Sequence, residues 1–154
     1  MKLTVSTVIR RSPEAVFAYL ADRTNLPEWT SGVSSCRKVT QGAVGPGAKF
    51  RIEGKLAGRA FPSAYEITAY EPPARLSGCN TGLLTFDETF SLVPTAQGAE
   101  VTQTADLELG GHFLFLAPLL RLALMSQLRK DLATLKRVLE GVPAAATASE
   151  AASE

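Results

Sequence analysis

The segment 112–140, HFLFLAPLLRLALMSQLRKDLATLKRVLE, constrains the fold more than any other part of the chain. Ala117, Arg121, Leu124, Leu128, Leu132, Leu135 and Leu139 recur at spacings of three and four. At about 100° per residue they fall on one stripe roughly 80° wide. Ser126, Arg129, Lys130, Ala133, Arg137 and Glu140 lie opposite. The spacing predicts one long C-terminal helix, entered through Gly110-Gly111 and stopped by Gly141 and Pro143. Phe113 to Leu120 is apolar all round apart from Pro118, so this end is expected to need cover on several sides. A helix of this length, about 40 Å at 1.5 Å per residue, requires an apolar surface of similar extent from the rest of the chain.

Alternating strands supply that surface. Residues 2–10 place Leu3, Val5, Thr7 and Ile9 on one face. Ser12-Pro13-Glu14 then starts a helix, with an N-cap serine, a proline in the first turn and a carboxylate at the positive end of the dipole. A second short helix over 24–29 carries Leu26 and Trp29, the only tryptophan. Strands are expected at 33–40, 48–57, 60–70, 74–80, 83–93 and 99–109, separated by glycine, proline and asparagine turns. The succession of hairpins makes the sheet antiparallel.

Net charge of +1 in 154 residues, without a basic run longer than two, argues against nucleic acid as a partner. The N-terminus alternates and lacks a signal-type apolar core. The apolar run 113–120 is too short for a bilayer span. Cys36 and Cys79 stand far apart and read as free thiols. A cytoplasmic protein is expected, with a domain at 1–141 and a disordered tail at 142–154, VPAAATASEAASE.

The order of strand, two helices, six strands and long helix resembles the polyketide cyclase/dehydrase-like family of the SRPBCC superfamily, whose wider relatives are START domains and the birch pollen allergen. The motifs that carry the resemblance are Ser12-Pro13-Glu14-Ala15-Val16-Phe17, Leu20-Ala21-Asp22, Asn25-Leu26-Pro27-Glu28-Trp29, Gly45-Pro46-Gly47 and Tyr65 to Pro73, together with Leu135-Lys136 and Leu139-Glu140. The resemblance implies an α+β helix-grip fold. A seven-stranded curved antiparallel sheet would wrap around the C-terminal helix and leave a cavity between them. The fold hosts binders, carriers and a few enzymes, so function has to come from the site.

Candidate ligand-binding residues are the aromatic and polar members of the inward faces: Trp29, Phe50, Tyr65, Phe86, Glu88, Phe90, Gln103 and Leu124, with Arg121. Arg121 lies near the centre of the apolar stripe. It snorkels to the cavity mouth, pairs with an internal carboxylate such as Glu88, or receives an anionic ligand group. Glu88 between Phe86 and Phe90 would have a raised pKa unless paired. Tyr65 and Gln103 can hydrogen-bond a ligand or internal water. His112 follows two glycines and has no neighbouring ligand at metal spacing. No metal or cofactor is expected, and no Ser-His-Asp order, Walker A or dinucleotide motif occurs. Three functions follow. The chain binds or carries a small hydrophobic or amphipathic molecule such as a lipid, polyketide or aromatic metabolite. Alternatively it is a cyclase or dehydratase using acid-base groups in the same cavity, or an interaction module docking through 113–120. Monomer and homodimer both remain open.

Overall fold

The structure, a computed structural model, describes the backbone of residues 1–153 and the side chains of 1–141; the tail expected at 142–154 lies outside the residues whose side chains are described. The elements are β1 (Lys2–Ile9), α1 (Pro13–Ala21), α2 (Leu26–Trp29), β2 (Val33–Lys38), β3 (Lys49–Leu56), β4 (Arg59–Glu71), β5 (Arg75–Thr81), β6 (Phe86–Thr95), β7 (Gly98–Leu107) and α3 (Ala117–Ser153). A 3-10 turn at Arg23–Asn25 leads into α2, and a second at Gly111–Leu116 leads into α3.

The strands form one curved antiparallel sheet in the order β1-β7-β6-β5-β4-β3-β2. Every consecutive pair from β2 to β7 is a hairpin or short connection. β1 closes the far side by pairing with β7, with Leu3 opposite Ala105 and Ile9 opposite Ala99. The period of two sorts each strand into a wet and a dry face. Leu3, Val5 and Ile9 are buried on β1, as are Phe50 and Ile52 on β3, Tyr65 and Ile67 on β4, Phe90 and Leu92 on β6, and Val101, Gln103, Ala105 and Leu107 on β7.

The two short helices plug one end of the concave face. Ser12 caps α1, its Oγ accepting from the Ala15 amide at 3.2 Å. Val16, Phe17 and Leu20 of α1 are buried, and Phe17 meets Tyr70 edge-on with centroids 5.3 Å apart. Trp29 meets Phe90 in the same manner at 6.1 Å.

Helix α3 lies along the concave side, and its two halves have different surroundings. Leu132, Leu135 and Leu139 are buried in the main core, as the stripe requires. Lys136 bonds the Val8 carbonyl and Glu140, which in turn accepts from the Arg10 amide at 3.1 Å, fastening the helix to the end of β1. The N-terminal half corrects the expectation of cover on several sides. Phe113, Leu114, Phe115, Leu116, Leu119 and Leu122 are all exposed, Phe115 to 78%. The reason is geometric. The 3-10 turn packs mainly on the start of α3, and Leu120 and Leu124 turn to the cavity, which leaves Leu119 and Leu122 facing outward. By length and hydropathy Gly111–Gly141 also qualifies as a membrane span. The burial of Leu132, Leu135 and Leu139 on the sheet makes its C-terminal part a core helix. Gly141 does not stop α3; it keeps helical backbone without a positive φ.

Candidate functional site: a cavity with one polar end

Between the sheet, α2 and the first half of α3 the chain encloses a cavity of about 500 Å³. Its walls are apolar for the most part: Leu3, Leu26, Ile52, Phe61, Leu84, Phe86, Ala105, Leu107, Leu120, Leu124 and Leu128 contribute. Leu56 at the end of β3 and Leu83 in the β5–β6 connection also line it and are 61% exposed each, so they stand at its mouth.

The polar end is built from four side chains that the sequence scatters and the sheet collects. Glu88 on β6 is the hub. Arg23 Nη2 donates to its Oε2 at 3.2 Å, the Tyr65 hydroxyl donates to the same oxygen at 3.0 Å, and Gln103 Nε2 donates to Oε1 at 2.8 Å. Arg23 also lies over the Tyr65 ring at 4.5 Å and within 5.7 Å of the Phe90 centroid. Its guanidinium is thus held on a ring face and by a carboxylate, the two environments that best compensate a buried cation. Arg23 is 3% exposed and Glu88 6%.

Registry explains the assembly. Phe90 faces Gln103 and Glu88 faces Ala105 across β6–β7, while Gly78 faces Glu88 across β5–β6. Gly78 makes the Tyr65 contact possible. A Cβ there would stand 2.2 Å from the Tyr65 ring and hydroxyl. A glycine inside a strand commonly marks such a close approach.

Electrostatics fix the protonation of the cluster. Burial works against the Arg23 charge, but the Tyr65 and Glu88 oxygens outweigh it and raise the Arg23 pKa above its ordinary value. Burial first, then the Glu88 carboxylate, push the Tyr65 phenol far above its usual range. Tyr65 therefore stays protonated and donates. A carboxylate only accepts, so the Gln103 amide nitrogen faces it and the amide oxygen points away.

Three residues hold buried polar atoms without a partner among the described residues: Arg23 Nε and Nη1, Gln103 Oε1 and Thr30 Oγ1. All three line this cavity. Asp131 of α3, which also lines the cavity, accepts from the Ser31 amide at 3.1 Å, the Ser31 hydroxyl at 2.8 Å and Gln127 at 2.9 Å. It ties α3 to the loop after α2.

Of the residues expected from sequence, Trp29, Tyr65, Phe86, Glu88, Gln103 and Leu124 line the cavity. Phe50 and Phe90 are buried in the core beyond it. Arg121 is a correction. It is exposed, and its Nη1 donates to the Lys2 carbonyl at 2.8 Å. At this level Leu120 and Leu124 face the cavity, while Arg121 beside them meets the end of the edge strand β1. The cation beside Glu88 is Arg23. Sequence reading missed it because it sits in a polar DRTN stretch that looks like a helix start, with no periodicity to mark one side as inward. Among the described residues no group of three potential metal ligands occurs, and both cysteines are free. A second, more open concavity of about 660 Å³ lies on the other face of β3–β5, flanked by Lys49, Arg51, Glu66 and Cys79.

The sheet order, the long helix behind it and the cavity between them match one family in particular. The model for "polyketide cyclase / dehydrase and lipid transport" proteins matches residues 1–140. The chain belongs to this family. Solved structures agree on the fold. A Thermus thermophilus protein superposes with a TM-score of 0.76 at 17% identity, covering 90% of this chain and 97% of the other. A START superfamily protein from Mycobacterium smegmatis gives 0.73 at 15% identity, covering 92% and 97%. A Staphylococcus aureus protein of unknown function gives 0.74 at 11% identity, covering 91% and 93%. No curated protein is significantly similar in sequence. In this member of the family the fold accounts for the cavity, and Arg23 and Glu88 supply the buried ion pair within it.

Proposed function

We propose that the protein binds and carries a small amphipathic molecule, a lipid, polyketide or aromatic metabolite, with its apolar body in the cavity. The observation that supports this most is the cavity's polarity: mostly apolar walls, with a buried hydrogen-bonding end at Arg23, Glu88 and Gln103. An apolar body that buries about 300 Å² would gain roughly 7–8 kcal/mol at 25 cal/mol per Å², before the costs of association. The catalytic alternative, a cyclase or dehydratase, is less favoured. Both Glu88 oxygens already accept hydrogen bonds, and Tyr65 is held as a donor to it, so neither is free as an acid or base. The proposal places the protein in the cytoplasm, as monomer or homodimer, without cofactor or nucleic acid.

Native mass spectrometry of protein purified from its own host tests the proposal, paired with displacement of a fluorescent fatty probe. A copurified apolar molecule is expected, and Ala105→Phe, which fills the cavity, should abolish probe binding. An unliganded spectrum together with no probe binding at micromolar concentration would overturn the reading. Turnover of a copurified molecule would favour the enzyme instead.

One observation favours a second role for the segment 113–120. Its exposed Phe113, Leu114, Phe115 and Leu116 adjoin Leu120 in the cavity wall, so it is suited to docking a second copy or another protein as well as to covering the mouth.

A further inference from the structure

The polar end of the cavity is charge-balanced, and this decides what it can accept. Arg23 and Glu88 are one cation and one anion joined at 3.2 Å, both almost wholly buried. Tyr65 and Gln103 complete the carboxylate's hydrogen bonds without adding charge. What is left over is hydrogen-bonding capacity of both kinds. Arg23 retains N–H donors at Nε and Nη1, and Gln103 retains an acceptor at Oε1. Buried polar atoms without partners are uncommon in folded chains. Here they gather in one cavity.

From this balance we propose that the ligand's buried polar group is an uncharged oxygen function, a hydroxyl or carbonyl, and that this end of the cavity discriminates against carboxylates and phosphates. The proposal rests on the container reading above and specifies its ligand. A carboxylate brought to Arg23 would share that cation with Glu88. Two anions would then face one cation in a water-poor site, where an incompletely compensated charge is strongly disfavoured. An ammonium would be repelled by Arg23 at this end, whereas Asp131 offers it a carboxylate elsewhere in the cavity. A carbonyl oxygen accepts from Arg23 with no charge to desolvate. A hydroxyl does the same and also donates to Gln103 Oε1, so it satisfies both kinds of unpartnered atom. Arg121, the cation on the apolar stripe, is bound to the Lys2 carbonyl outside the cavity and supplies no second positive charge there.

The test is a matched ten-carbon series: 1-decanol, 2-decanone, decanoate, decylamine and decane. Each is titrated at neutral pH and followed by fluorescence of Trp29, which lines the cavity, with calorimetry as a second readout. The alkane separates head-group recognition from burial, because a purely apolar cavity would prefer it. The alcohol and ketone are expected to bind at least about tenfold tighter than decane and than decanoate. In Gln103→Met the alcohol should fall to the affinity of the ketone, which cannot donate. If decane binds as tightly as the alcohol, or decanoate binds tightest, the proposal fails while the container reading stands. If none of the five binds, both fail together.

Discussion

Glu88→Gln isolates the central electrostatic claim. The replacement is nearly isosteric, so packing changes little. It removes the only countercharge, among the described residues, of a guanidinium that is 3% exposed. It also turns one acceptor oxygen into a donor, which must then face either Arg23 and Tyr65 on one side or Gln103 on the other, donor against donor. Breaking a buried ion pair from one side typically destabilises by about 3–5 kcal/mol, because the remaining charge is uncompensated. For a domain of this size that corresponds to roughly 6–20 °C in Tm. Arg23→Met alone leaves Glu88 with its Tyr65 and Gln103 donors but no cation, and should cost a similar amount. The double variant Arg23→Met/Glu88→Gln removes both charges and should recover most of the loss. The assay is urea denaturation of the four proteins with a common m-value, read as a double-mutant cycle. A coupling energy of at least about 2 kcal/mol is expected. Additive losses, or a Glu88→Gln loss below about 1 kcal/mol, would show that the pair is hydrated, and the charge-balance argument for the cavity would fall with it.

Gly78→Ala should destabilise by about 1–3 kcal/mol, since the new methyl displaces the Tyr65 phenol from Glu88; unchanged urea midpoints would mean that the ring has room to move. Leu135→Ala, fully buried, should cost about 2–5 kcal/mol, whereas Leu122→Ala, 69% exposed, should stay within about 0.5 kcal/mol. Equal losses at the two positions would contradict the division of α3 into a packed and an unpacked half. Burial pushes the Cys36 thiol up from 9.0 to about 11, against the pull of Arg23. The folded state thus holds the proton more tightly than the unfolded state. The contribution is complete below pH 9 and is lost as pH rises from 9 toward 11. Cys36→Ala should flatten that part of the stability profile, and parallel profiles for the two proteins would remove Cys36 as the cause.

The sequence determined most of the fold because period is a local property. Alternation in LTVSTVI, KFRIEG and FDETFSL, and the leucine spacing of α3, each follow from which side of one element must be dry. The strands, the helix starts and the stripe Leu132-Leu135-Leu139 were therefore legible, and so was the inward face that carries Glu88, Tyr65 and Gln103. The ion pair was not. Arg23 and Glu88 are 65 residues apart, and Arg23 sits on a 3-10 turn whose inward side no period announces. Which cation meets the buried carboxylate depends on how α1 and α2 close the end of the sheet, and Arg121, placed on the apolar stripe by angle alone, turns to the Lys2 carbonyl of the edge strand β1. A helical stripe says which side of a helix faces inward, but not how far the opposing surface extends. Tertiary packing sets that extent, and it left Phe115 in solvent and enclosed Arg23.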